Sequence, residues 1–435
     1  MTDRCRAPSG VVLLITLASS VLSAAETPAP AAPTIVIRTG RVIDTAAGKV
    51  REGQWIVVSG ERITGVHAAD EFETPPGTQV IDLSAWTVLP GLIDTHTHLI
   101  GDPTLPPYHD YGLSVPRLAL IGAANARRTL LSGVTTTRDV GSYSFTDVAL
   151  RDAIAAGDVD GPRVRASGPA LGITGGHCDE NLLAPEFKEV GEGVADGVDG
   201  VRKAVRRNVK YGVDHIKYCG TGGVFSKGTI PGTQQYTEAE VAALIDEAHM
   251  HGRKVAVHAH GAAGIKVALR NGVDTVEHAS LIDDEGIALA KKTGAYLSMD
   301  IYNTEYTQTA GKKRGELEEF LQKDRDLAQV QRDNFRKAVE AGVTMTMGTD
   351  TGVFPHADAP KQLAFMVRYG MTPMHALQAA TVNGADAIGL AGQIGTIAPG
   401  AYADIIAVRG DPLADISLLE NVGFVMKGGK AYKGP

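Results

Sequence analysis

One local device recurs in the chain often enough to restrict its fold to very few architectures. Six times, a glycine that can end a helix is followed by a short β-branched or apolar run closed by a polar residue. The runs are Gly133-Val-Thr-Thr-Thr-Arg-Asp139, Gly212-Val-Asp-His-Ile-Lys217, Gly252-Arg-Lys-Val-Ala-Val-His258, Gly272-Val-Asp-Thr-Val-Glu-His278, Gly294-Ala-Tyr-Leu-Ser-Met-Asp300 and Gly342-Val-Thr-Met-Thr-Met-Gly-Thr-Asp350. Glycine tolerates the left-handed backbone that stops a helix, and stretches of helical period lie between the runs. One of these opens at Thr237-Glu-Ala-Glu240, a capping box. Helices alternating with short strands imply a parallel sheet. Over residues 91–394 the expected closure is a (β/α)8 TIM barrel, whose usual size is about 250 residues. An open doubly wound sheet is the alternative, but no glycine-rich phosphate fingerprint follows an early strand.

The flanks read differently. Residues 35–90 carry short alternating runs such as Ile35-Val-Ile-Arg38 and Trp55-Ile-Val-Val58, punctuated by Gly40, Gly53, Gly60 and Gly77. Residues 395–435 repeat the style in Ala403-Asp-Ile-Ile-Ala-Val408. Alternation bounded by glycine predicts antiparallel strands, so both ends are expected to build one small β-sandwich domain. Residues 1–25 hold Arg4 and Arg6, an apolar run over 11–22 and Ser23-Ala-Ala25, the pattern of a signal peptide. The run is shorter than the roughly 20 residues of a membrane span. Residues 26–34 read as a Pro/Ala-rich linker. The expectation is an exported protein, periplasmic or secreted, without a stable membrane anchor.

Lys+Arg 42 against Asp+Glu 50 leaves a net charge of −8, which argues against a nucleic-acid partner, since phosphates call for a basic face. Three cysteines exclude a disulfide scaffold. Cys178 and Cys219 are assigned to separate strands and expected as free thiols.

Barrel enzymes draw their chemistry from the C-terminal ends of different strands. The recurring runs end in Asp139, Lys217, His258, His278 and Asp350, and His96-Thr-His98 adds two side chains that share one face of a strand. Asp139 is read as structural. Imidazoles with a carboxylate suit zinc or a similar divalent ion. Lys217 is the odd member, because an ammonium would be repelled by cations. A lysine there either reaches solvent or a carboxylate, or has its pKa lowered by burial and reacts with CO2.

Pro90-Gly-Leu-Ile-Asp-Thr-His-Thr-His98, the segment from Met371 to Asn383 and Gly395-Thr-Ile-Ala-Pro-Gly-Ala-Tyr-Ala-Asp404 together resemble motifs of the amidohydrolase superfamily, over nearly all of residues 35–435. The binuclear branch of that family implies metal-ligand roles for His96, His98, Lys217, His258, His278 and Asp350. It implies that Lys217 becomes N6-carboxylysine and bridges two divalent cations, zinc foremost. A hydroxide shared by the cations would then attack the amide, with Asp350 passing its proton to the leaving nitrogen.

The stretch from Lys217 to Ser226 is similar to a subgroup of Xaa-Pro dipeptidase-like and ochratoxin A-cleaving amidohydrolases. The implied substrate is a small-molecule amide joining an acyl group to a C-terminal amino acid, with ochratoxin A, cleaved to ochratoxin α and phenylalanine, as leading candidate. Xaa-Pro dipeptides are the alternative. Cyclic amides of the imidazolonepropionase kind, or deamination, come third, since those relatives lack the lysine. The subgroup also implies Tyr218, His177 and His260 as substrate-binding residues, with His260 near enough to act in catalysis. Lys227 and Arg368 are rival carboxylate clamps. Homo-oligomers, up to octamers, are implied as well. A non-catalytic relative with decayed ligands is disfavoured, because no ligand position is empty.

Overall fold

The computed structural model describes residues 34–434, so the signal-peptide reading, and the linker reading up to residue 33, lie outside the described residues. Thr34, read as linker, opens the first strand. The chain starts with β1 (Thr34–Asp44), β2 (Lys49–Glu52), β3 (Gln54–Ser59), β4 (Arg62–Ala68) and β5 (Gln79–Pro90). Next come β6 (Leu92–Thr97), β7 (Val134–Asp139), β8 (Arg163–Arg165) and β9 (His215–Cys219). They are followed by β10 (Lys254–Gly261), β11 (Thr275–Leu281), β12 (Tyr296–Ser298) and β13 (Met345–Thr346). The chain ends in β14 (Ile405–Val408), β15 (Phe424–Lys427) and β16 (Lys430–Lys433).

Strands β6–β8 and β9–β13 form two parallel arrays. Backbone bonds close the seams: Asp214 N donates to Ala166 O at 2.8 Å, and Thr95 N to Met347 O at 2.9 Å. The result is an eight-stranded (β/α)8 barrel among the described residues. Strands β6, β7 and β9 are buried along their whole length, as a parallel sheet covered by helices requires. All six glycines of the recurring device lie in the left-handed region, with φ from 66° to 101°. The capping box forms, with Glu240 accepting from Thr237 N at 2.8 Å.

Both chain ends share one mixed sheet in the order β16-β15-β14-β5-β1-β3-β4, with β2 on β1. Its core joins Ile37, Val58 and Leu83 to Ile405, Phe424 and Met426. A bulge follows Thr39 in β1, where Gly40 is required because a Cβ would meet Ser84 O at 2.3 Å. Only Gly91 separates β5 from β6, so this sheet delivers the chain directly into the first barrel strand. No described helix is long and apolar enough to cross a membrane.

The cysteine expectation is corrected. Cys178 and Cys219 form a disulfide with Cα atoms 6.0 Å apart. Cys178 lies on the long segment after β8 rather than on a strand, and that segment folds back along β9. Leu171 N donates to Lys217 O at 2.9 Å, and Cys219 N to Leu171 O at 2.8 Å.

Outside the barrel wall, the helices Gly197–Lys210 and Glu238–Met250 are joined through Glu247. Its carboxylate accepts from Arg206 at 2.6 Å and Arg202 at 2.8 Å. The Arg206 bond first, then Arg202, outweigh burial and hold the carboxyl down to about 2. A carboxyl with a depressed pKa stabilises the fold above its unfolded value and stops doing so as pH falls toward its folded value. Glu247→Gln should therefore lower the urea midpoint at neutral pH. The gap from the parent chain should close as pH drops from 4.5 toward about 2. A gap that is unchanged across that window would refute the assignment.

Candidate active site

Strand ends converge on a cavity of about 820 Å³ at the barrel mouth. His96 and His98 leave β6 on one face with ring centroids 5.6 Å apart. Asp350 reaches both, its Oδ1 lying 3.3 Å from His96 Nε2 and 3.4 Å from His98 Nε2. His278, at the middle of β11, stands 4.9 Å from His96 and 4.5 Å from His258, centroid to centroid. His260 lies 4.8 Å from His278. Lys217, on the inward face of β9, lines the same cavity and is 3% exposed.

The protein accepts backbone strain to achieve this. His278, Ala279 and Asp350 have φ of 68°, 46° and 61°, half of the positive-φ non-glycine residues described. Such conformations cost on the order of 1–3 kcal/mol each and persist where the surroundings enforce them. The turn before Asp350 has no spare room, since a Cβ on Gly348 would fall 1.9 Å from Ser298 Oγ and 3.0 Å from His96 Cβ. Gly348→Ala should thus destabilise the chain by about 1–3 kcal/mol and weaken any cation held by His96. Thermal melts of the metal-free and zinc-loaded forms would test this, and unchanged melts would contradict it.

Hydrogen bonds select which imidazole nitrogen faces the cavity. His278 Nδ1 donates to Asp300 Oδ1 at 2.8 Å, and His98 Nδ1 to Gly141 O at 3.1 Å. His260 Nδ1 pairs with Ser280 Oγ at 2.8 Å, and His177 Nδ1 with Ser226 Oγ at 2.8 Å. Buried imidazoles oriented through one nitrogen by oxygen acceptors match the habit of metal ligands. His258 Nε2 is buried with no hydrogen-bond partner, an uncompensated lone pair that a cation would satisfy. Oxygen and nitrogen donors also lie within 4.8 Å of one another in three groups, His96 with His98 and Asp350, His258 with His260 and His278, and His278 with Asp300 and Asp350. These residues fit divalent cations.

The electrostatics differ among the imidazoles. Burial, then Lys217, disfavour a charged His96, but Asp350 and Glu277 outweigh them and raise it to about 9. Burial pushes His98 down to about 4 and takes His258 and His260 well below the ordinary histidine range, so they are neutral donors. Burial opposes ionisation of Asp350, but His96, His98 and His278 outweigh it and keep the carboxylate well below its usual range. Burial also lowers Lys217 to about 8.

His177 stacks on His258 at 4.0 Å, held in place by the disulfide at the next residue. Tyr218 is not brought in. It alternates with Lys217 on β9, packs against Tyr236 at 6.1 Å and does not line the cavity, so the substrate-binding role expected of it does not hold. Lys227 lines the mouth, whereas Arg368, on the helix Lys361–Arg368, does not. Asp139 accepts from Leu99 N at 2.7 Å and Gly141 N at 3.2 Å, a structural use. Sequence reasoning missed Asp300, although it closes one of the recurring runs, and Glu277, which immediately precedes His278.

The model of the amidohydrolase family matches residues 87–432. The chain belongs to the amidohydrolase family. This amidohydrolase is 35% identical to an ochratoxinase of Aspergillus niger over 373 residues, covering 80% of this chain and 76% of the relative. A solved Xaa-Pro dipeptidase with methionine bound in its active site superposes with a TM-score of 0.85 at 35% identity, covering 92% of this chain and all of the other. The A. niger ochratoxinase structure gives 0.84 at 30% identity, covering 94% of this chain and 97% of the other. The amidohydrolase is thus a hydrolase of small-molecule amides from a family that generally uses divalent metal.

Proposed function

We propose that this amidohydrolase cleaves the amide between an acyl group and a C-terminal amino acid, with two zinc ions in its cavity. The observation that carries the reading is the convergence of His96, His98, Lys217, His258, His278 and Asp350 on one cavity wall. His96, His98 and Asp350 would hold one ion, His258 and His278 the other, and Lys217 would be shared between them. Such ions, when bound, polarise a carbonyl and bring the pKa of water from about 15.7 to about 7.

The chain's own residues supply the rest. The Lys217 side chain is buried at the cavity wall, and its neutral amine adds to CO2 with release of one proton to give an anionic carbamate. Asp350 accepts a proton from the attacking water and delivers it to the leaving nitrogen, the standard work of a positioned carboxylate. His177 and His260 present ring nitrogens to the cavity and orient the substrate. The 35% identity to an ochratoxinase favours ochratoxin A as substrate, and the likeness to the dipeptidase structure favours Xaa-Pro dipeptides as the second reading.

Mass spectrometry of amino acids released by the zinc-loaded protein tests the proposal. Free phenylalanine from ochratoxin A is expected. Proline from Xaa-Pro dipeptides alone would select the second reading, and no release from either, with two zinc ions bound, would reject both. Export is proposed on the basic and apolar opening of the chain, and the Cys178–Cys219 disulfide suits an oxidising compartment.

A further inference from the structure

Below the cavity, the barrel interior carries charge where such barrels usually carry branched apolar side chains. Arg138 on β7 is 2% exposed and Glu277 on β11 is 0% exposed. Arg138 uses its whole fork. Its Nε donates to Thr95 O at 2.6 Å, Nη1 to Thr275 Oγ1 at 3.0 Å and Nη2 to Glu277 Oε1 at 2.7 Å. Thr275 Oγ1 in turn donates to Glu277 Oε1 at 2.5 Å. The other oxygen, Glu277 Oε2, lies 3.0 Å from His96 Nδ1. A buried ion pair of this kind is often no more stabilising than an apolar pair of equal volume, so its presence here calls for another reason.

We propose that Glu277, fixed by Arg138, is a positioning residue that sets the tautomer and ring plane of His96 and so decides whether His96 can hold a metal ion. The inference rests on the metal reading given above. With both donors of the Arg138–Thr275 pair aimed at Oε1, the carboxylate is committed as an acceptor, and Oε2 is left to receive a proton from His96 Nδ1. The lone pair of His96 is then on Nε2, the nitrogen that faces Asp350. Arg138 also grips Thr95 O, the carbonyl next to His96, so ring and backbone are held from one point. Neither Arg138 nor Glu277 lines the cavity, which separates this role from contact with substrate.

Glutamine makes the prediction sharp because it keeps the volume and reverses one end. In Glu277→Gln, the amide oxygen must face Arg138 and Thr275, so the NH2 group faces His96 Nδ1. The imidazole proton is driven to Nε2, and the ligand lone pair is lost. Zinc titration of the metal-free protein against a competing chelator reads the two sites separately. Glu277→Gln is expected to weaken one of the two zinc-binding steps about 10–100-fold, the scale found when a ligand's orienting partner is removed, while the other step stays at the parent value. Thr275→Val leaves the carboxylate on His96 and should keep both steps near the parent values.

If Glu277→Gln does not fold, the double variant Arg138→Met/Glu277→Met removes the pair without stranding a charge, and the same single step should weaken. Either variant, folded and binding two zinc ions with parent affinities, would overturn the inference alone. A parent protein that takes up no zinc would overturn the metal reading and the inference with it.

Discussion

Lys217→Ala is expected to leave the barrel folded and to cut amide hydrolysis by at least about 10²–10³-fold, the scale on which loss of one stabilising group in a water-excluded site acts. Burial lowers the Lys217 amine to about 8, so at neutral pH its charged form costs the fold stability rather than adding to it. Deleting the side chain should therefore spare the melting temperature. What disappears is the one group on β9 that both halves of the site can share. Zinc content should fall below two per chain, and millimolar propionate should restore part of both zinc and activity by placing a carboxylate in the vacated volume. A variant that binds two zinc ions and turns over at the parent rate without added acid would rule out the bridging role.

Asp350→Asn probes the proton rather than the ligand. Asparagine adopts the left-handed backbone about as readily as aspartate, so the φ of 61° at this position is not disturbed. It cannot accept and pass on a proton. With Oδ1 at 3.3 and 3.4 Å from His96 and His98, the substitution leaves shape and neighbours in place. The expected result is a fall in kcat of about 10²–10⁴-fold, the usual share of a general acid–base group, with zinc still bound. Turnover within a few-fold of the parent chain at full zinc occupancy would remove Asp350 from that role.

Much of this site was legible because its parts sit at ends of regular elements. A glycine that stops a helix, a buried strand and a polar closing residue are all local signals, and local signals survive in a linear sequence. His96 and His98 share a face by strand periodicity, and Lys217 stood out because an ammonium is a poor neighbour for cations. The same periodicity should have sent Tyr218 to the opposite face from Lys217. The resemblance to the dipeptidase-like subgroup points to Tyr218 without regard to that parity.

Other features were not legible for a different reason. Glu277 meets His96 across 181 positions and Arg138 across 139, and no local pattern reports which side chains cross a barrel interior. The Cys178–Cys219 pairing depended on a loop folding back along β9, a path set by tertiary contacts alone.

The loop that carries His177 leaves β8 and reaches the next α-helix only at Gly197, with one 3-10 turn at Pro185–Phe187 on the way, and it is stapled to β9 near its middle by that disulfide. This divides labour between two kinds of chain. The ligands belong to the barrel strands and the turns that follow them, whose backbone paths the barrel wall fixes. Part of the cavity wall belongs to a tethered loop, pinned to β9 at Leu171 and Cys178, whose two stretches on either side of the disulfide can vary in composition while His177 keeps its place over His258. Substrate preference in a barrel of this design is free to drift by editing those two stretches, with the hydrolytic centre inherited intact.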